Sequence, residues 1–266
     1  MSKQRSRTLK EFAATKGLLL RGYDHILNGG LLPVGELDEA KVREKRQNLV
    51  SERFVVAICG QIKCGKSLIL NALVFGRPVL PTNDTIMTAK NTLIRHGASP
   101  AIEVEFYSSE EWTALVTELR RDESTWAPFA AEIGAAAESG VMKDECVRPS
   151  RRVERIAGVD RLKEFVTPVK DGGRFSPFVK LVTVEYDHPW LADVTVADTP
   201  GVNDPLRFRE DITKQWIHNA GAVLYVSYAG QPMSEPDFRF MDDYLLAVPS
   251  DRRVIAINKI DLVNGL

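Results

Sequence analysis

The sequence predicts an α/β fold: a mostly parallel sheet covered by helices on both faces. Short apolar runs alternate with stretches of helical spacing along most of the chain, the pattern of strands joined by crossover helices. The first run, Phe54 to Cys59, is continuously apolar, as expected of a central strand buried on both sides. It ends at Gly60 and is followed within a few residues by a helix-forming stretch, so a glycine-rich turn links strand to helix.

Each element follows in order. Residues 1–50 mix charged and apolar side chains, interrupted at Asn28-Gly29-Gly30 and Pro33, and Leu37 to Val50 reads as an exposed helix. They form an N-terminal helical extension ahead of a main domain at 51–266. Lys66 to Phe75 has helical spacing and stops at Gly76. Arg77 to Thr88 carries two prolines and several turn formers, which makes it a loop returning to the front of the glycine turn. Strands follow near Asn91 to Arg95 and Ile102 to Tyr107. From about 108 to 165 the composition becomes rich in Ala, Glu and Arg and reads as a helical insertion, with Pro149 setting off a last helix at Arg151 to Phe165. On that reading Arg148, Arg151, Arg152 and Arg155 form a solvated helix face. Strands resume at Phe178 to Tyr186, Val194 to Ala197, Ala222 to Tyr228 and Val254 to Asn258, with helices at Phe208 to Asn219 and Pro236 to Ala247.

Composition narrows the function. The 266 residues carry 35 basic and 36 acidic side chains, so bulk charge offers no surface for nucleic acid. Three cysteines, Cys59, Cys64 and Cys146, are too few and too irregular for a disulfide framework or zinc cluster, and the four histidines are scattered. A reducing cytoplasm fits this usage, and the apolar run Gly17 to Leu20 is too short for a signal peptide or a membrane span.

Three motifs carry the chemistry. Gly60-Gln61-Ile62-Lys63-Cys64-Gly65-Lys66-Ser67 has the form G-x-x-x-x-G-K-[ST], in which glycines let backbone N–H groups turn around phosphates and the helix dipole favours the same anion. Residues Gly60, Gln61, Ile62, Lys63, Cys64, Gly65, Lys66, Ser67 and Leu68 are assigned to a nucleoside triphosphate on this basis. Lys66 reaches the β- and γ-phosphates, and the Ser67 hydroxyl ligates Mg²⁺. Asp198-Thr199-Pro200-Gly201 closes another apolar strand, placing the Asp198 carboxylate beside the metal and the Gly201 N–H toward the γ-phosphate. Asn258-Lys259-Ile260-Asp261 ends a third strand, where parallel sheets present their ligand loops. Guanine offers N1–H and N2–H₂ as adjacent donors, and Asp261 accepts both, while the Lys259 stem lies along the purine and Asn258 ties this loop to the phosphate loop. Thr82, Thr85 and Thr88 are the candidates in the preceding loop to cover Mg²⁺ and the γ-phosphate. Lys63 is a candidate for stabilising transition-state charge.

These motifs, in this order, resemble the translation-factor-related GTPases, a P-loop NTPase fold. About 130 residues separate Lys66 from Asp198, and the excess over a minimal GTPase is the insertion. The helical extension, Ser67 to Leu73, Val79-Leu80-Pro81 and Thr88 to Gly97 together resemble the bacterial dynamin-like proteins of the dynamin superfamily. The resemblance favours Thr88, in Met87-Thr88-Ala89, as the switch threonine and metal ligand. It implies GTP hydrolysis with Mg²⁺ to GDP and phosphate, GTP-dependent homodimerisation across the nucleotide face, and a helical stalk whose tip engages lipid. The chain is then the motor domain of a membrane-remodelling protein, cytoplasmic and peripheral at a membrane. Eukaryotic dynamins carry a water-orienting glutamine two residues after the first loop glycine, where this chain has Ile62; Gln61 is adjacent and points elsewhere. The chain ends five residues after Asp261, before the last strand, the last nucleotide loop and the stalk of the family, which predicts an unpaired sheet edge and weak nucleotide binding. A second reading is an assembly or signalling GTPase with slow turnover and no membrane role. An ATP-using kinase is disfavoured by Asp261.

Overall fold

The computed structural model describes residues 2–28, 39–51, 54–61, 63–82, 92–121, 127–138, 140–199, 216–217, 220–246 and 248–264. The chain divides into two compact units, Met1–Phe54 and Val55–Leu266. In the first, α1 (Ser2–Asn28) packs on α2 (Glu39–Ser51). Arg46 pairs with Asp24 at 2.7 Å, and Lys16 Nζ donates to the Val50 carbonyl at 2.8 Å.

The second unit is built on one sheet. Its strands are β1 (Phe54–Gly60), β2 (Thr92–His96), β3 (Ala101–Phe106), β4 (Val153–Ala157), β5 (Val179–Tyr186), β6 (Val194–Asp198), β7 (Ala222–Tyr228) and β8 (Arg253–Asn258), in the spatial order β4-β3-β5-β2-β6-β1-β7-β8. The α/β architecture is as expected, and the sheet is mixed. β1 and β7, β7 and β8, and β2 and β5 run parallel, whereas β2 and β6, β3 and β5, and β3 and β4 run antiparallel. The cause lies in the connections: residues 97–100 between β2 and β3 are too few for the crossover that parallel strands require.

Period-two alternation distributes side chains to two cores. Ile58 of β1 and Val226 of β7 belong to one, with α4 (Ser109–Arg121) and α5 (Ala127–Glu138) contributing Trp112, Leu115 and Ile133. Ala57 and Cys59 of β1 and Val223 and Tyr225 of β7 belong to the other, with Ile217, Phe240 and Leu245. A central strand apolar at every position is thereby explained, because each successive residue meets a different core.

The segment read as helix at Arg151 to Phe165 is corrected. It contains β4, and only the short α7 (Lys163–Val166) is helical. Val153-Glu154-Arg155-Ile156-Ala157 alternates in exposure as an outer strand does, and its charges are paired. Arg155 bonds Glu185 of β5 and faces Glu103 in register, while Arg152 pairs with Glu154 at 2.8 Å and Arg151 with Glu111. For Arg151, Arg152 and Arg155 the expected solvated helix face is therefore a set of ion pairs around a strand, while Arg148 is exposed. The rest of the insertion is helical, through α4, α5 and α6 (Gly140–Cys146). At the far edge, β8 leaves Val254, Ile255 and Ile257 exposed.

Candidate functional site

The ends of β1, β6 and β8 converge on the site. β1 closes at Gly60, whose φ of 145° and closeness to β7 both require glycine: a Cβ there would lie 2.1 Å from the Val226 carbonyl oxygen. Lys63 follows in the left-handed region at φ 65° and is exposed, and Gly65, at φ 95°, is the N-cap of α3 (Lys66–Leu70). That helix continues through a π-turn, Asn71–Phe75, and ends at Gly76, as its spacing predicted. Buried Asn71 holds the returning loop, donating to the Leu80 carbonyl at 2.8 Å and accepting from the N–H groups of Val79 and Leu80.

Lys66 and Ser67 are buried at the loop's inner end. Lys66 Nζ donates to the carbonyls of Gly60 at 3.1 Å and Gln61 at 2.8 Å, so the cation is held beside the loop by acceptors that a phosphate oxygen can replace. The Ser67 hydroxyl donates to Asp198 Oδ2 at 3.3 Å. Asp198 ends β6 with 1 % exposure, and its Oδ1 is buried without a hydrogen-bond partner among the described residues. Burial pushes Asp198 up to about 6 against the opposing pull of Lys66 and Ser67. An orphaned carboxylate oxygen beside a serine hydroxyl is an oxygen donor set that suits Mg²⁺, which takes few protein ligands and completes its shell with water and phosphate. Among the described residues there is no cluster of three His, Cys, Asp or Glu side chains able to cage a metal. Thr199 next to it fixes β6 to β1, its hydroxyl and N–H both donating to the Ile58 carbonyl.

The third motif lies against the first. Asn258 Nδ2 donates to the Cys64 carbonyl at 2.9 Å, tying the end of β8 to the phosphate loop. A Cβ on Gly65 would approach Asn258 Nδ2 to 2.4 Å, so this contact also needs the glycine. Lys259, at φ 60°, places its ammonium 6.0 Å from the Tyr228 ring centre, and Asp261 is exposed at the first position of α9 (Asp261–Asn264). Leu68 is exposed one residue beyond Ser67. Burial pushes the Cys59 thiol up to about 12 and Cys64 also upward, which keeps both protonated and removes them as nucleophiles.

The structure thus brings Gly60, Gln61, Lys63, Cys64, Gly65, Lys66, Ser67, Asp198 and Asn258 together. Ile62, Thr85, Thr88 and Gly201 lie outside the described residues, and Thr82 is exposed. One set of partners was not read from the sequence. Gln61 Nε2 donates to Ser234 Oγ and Asp237 Oδ2, both at 2.6 Å, at the start of α8 (Glu235–Phe240). The available signal was Ser234-x-x-Asp237 ahead of an apolar run, a capping-box pattern.

A family model described as the Dynamin family matches residues 56–261. Dynamin-like protein 1 of Campylobacter jejuni subsp. jejuni serotype O:23/36 (strain 81-176) is 24% identical over 225 residues, covering 84% of this chain and 29% of the relative. Dynamin-like protein A of Bacillus subtilis (strain 168) is 26% identical over 243 residues, covering 83% and 20% respectively. A solved structure described as an oligomerised bacterial dynamin pair that provides a mechanism for the long-range sensing and tethering of membranes superposes with a TM-score of 0.59 at 18% identity, covering 100% of this chain and 34% of that one. The chain spans under a third of the length of these two relatives.

Proposed function

Because this chain belongs to the dynamin family and carries its GTPase domain, we infer that it binds GTP between the Gly60–Ser67 and Asn258–Asp261 loops and hydrolyses it with Mg²⁺ to GDP and phosphate. The observation that carries this reading is the bond from Asn258 to the Cys64 carbonyl, which joins a loop suited to guanine to one suited to phosphate. Lys66 exchanges the Gly60 and Gln61 carbonyls for β- and γ-phosphate oxygens, and the α3 N-terminus adds its dipole. Ser67 and Asp198 would hold Mg²⁺, which when bound would neutralise charge developing on the phosphates. Thr88 and Gly201 complete the γ-phosphate shell, and Lys63, exposed on the loop, stabilises transition-state charge. Asp261 selects guanine.

The family and the dynamin-pair likeness support a motor role in membrane remodelling, with GTP-dependent pairing of two copies across the nucleotide face and lipid engaged by parts of a longer protein. Among the described residues no helix is long and apolar enough to cross a membrane. Phosphate release measured over a range of protein concentrations tests it. Specific activity that needs Mg²⁺ and rises with concentration is expected; turnover independent of concentration would favour a slow switch that acts alone.

A further inference from the structure

Asp237 is a fully buried carboxylate, 0 % exposed, and such a group is costly unless its oxygens are met by donors. Four converge on it from three parts of the fold. Tyr225 of β7 donates its hydroxyl to Oδ1, the Ser234 N–H donates to Oδ2 at 2.8 Å, the Ser234 hydroxyl donates to Oδ2 at 3.0 Å, and Gln61 Nε2 donates to Oδ2 at 2.6 Å. A capping box needs only the Ser234 contacts. Tyr225 and Gln61 make it a junction between α8, β7 and the phosphate loop. Burial, and then Asp237 itself, hold the Tyr225 phenol well above its ordinary range, so it remains a donor.

The consequence for the loop follows from where Gln61 sits. Its carbonyl accepts from Lys66, and its side chain is held by Ser234 and Asp237. Once Lys66 turns to phosphate, the Lys66 bond to that carbonyl is given up, and the side-chain tie remains. We propose that Asp237 is a positioning residue for nucleotide binding, which holds the first turn of the phosphate loop in shape through Gln61 and keeps that side chain from orienting water. This role rests on the nucleotide reading above.

The test uses the full chain, fluorescently labelled GDP and backbone amide exchange. Gln61→Ala removes the tie and leaves the Ser234–Asp237 capping box, so melting should stay within a few degrees of wild type. Exchange across residues 60–66 should rise and GDP release should quicken by about tenfold or more, the effect of one charge-assisted hydrogen bond. Gln61→Glu sets a second acid against Asp237, with Ser234 and Tyr225 as the other polar groups facing it. At pH 5.5 the substituted carboxyl, once protonated, donates as the amide did and release should match wild type; at pH 8 release should be faster than wild type by tenfold or more. A merely structural Gln61 would give no such pH profile. GDP release and loop exchange at wild-type rates in both variants, at both pH values, would overturn the clamp alone. A wild-type chain that binds no GDP would overturn the nucleotide reading and the clamp with it.

Discussion

Asp198→Asn should make the chain more stable while removing its metal response. The carboxyl lies at about 6 in the fold against an ordinary value of 3.8. A difference of roughly two units at about 1.4 kcal/mol each corresponds to about 3 kcal/mol. The sign is set by burial: ionisation is harder in the folded chain than in the unfolded one, so the penalty is absent below pH 3.8, grows between 3.8 and about 6, and is complete above that window. Asparagine keeps an acceptor for the Ser67 hydroxyl and carries no charge to desolvate. Urea unfolding in EDTA without nucleotide should therefore show the variant about 3 kcal/mol more stable at pH 7.5, roughly 6–12 °C in melting temperature, with the gap falling below about 1 kcal/mol at pH 4. Mg²⁺ should tighten GDP binding to the wild type and not to the variant. A variant less stable than wild type at pH 7.5, or a gap that does not change with pH, would refute the reasoning.

Gly65→Ala meets both the φ of 95° and Asn258 Nδ2 at 2.4 Å, so the bond to Cys64 must break; strain of about 1–2 kcal/mol plus that bond predicts at least tenfold weaker labelled-GDP binding in a titration. Asp261→Asn should shift preference from GTP toward xanthosine triphosphate, read by competition against labelled GDP. Glu111 is pushed up by burial but drawn down further by Lys180, the Ser108 N–H and Arg151, to about 2 from 4.5, so its stabilisation is full above pH 4.5 and is lost as pH falls toward 2. Glu111→Gln should accordingly cost about 2–3 kcal/mol in urea unfolding at pH 7 and little at pH 2.

Much of this site was legible because its parts are local. Phe54 to Gly60 announces a strand and a phosphate turn within one short stretch, and Asn258 to Asp261 gives a complete motif, so the tie between them could be expected from motif order alone. Distant partners hid the rest. β4 reads as a charged helix because Arg155 finds its partner only after folding; Glu185, which it bonds, is thirty residues further along the chain. Gln61 and Asp237 are 176 residues apart, and neither residue type at its position signals the other. The antiparallel half of the sheet escaped for a related reason: alternation of strands and helices reports that a sheet forms, while connection length decides its direction.

The central claim is that two loops from opposite ends of the unit form one guanine-nucleotide site. Calorimetric titration of the chain with GDP and Mg²⁺, repeated with ADP, tests it most directly. Saturable GDP binding is expected at one site per chain, lost in Lys66→Ala and not competed by excess ADP. ADP binding as well as GDP, or GDP binding that survives Lys66→Ala, would contradict it.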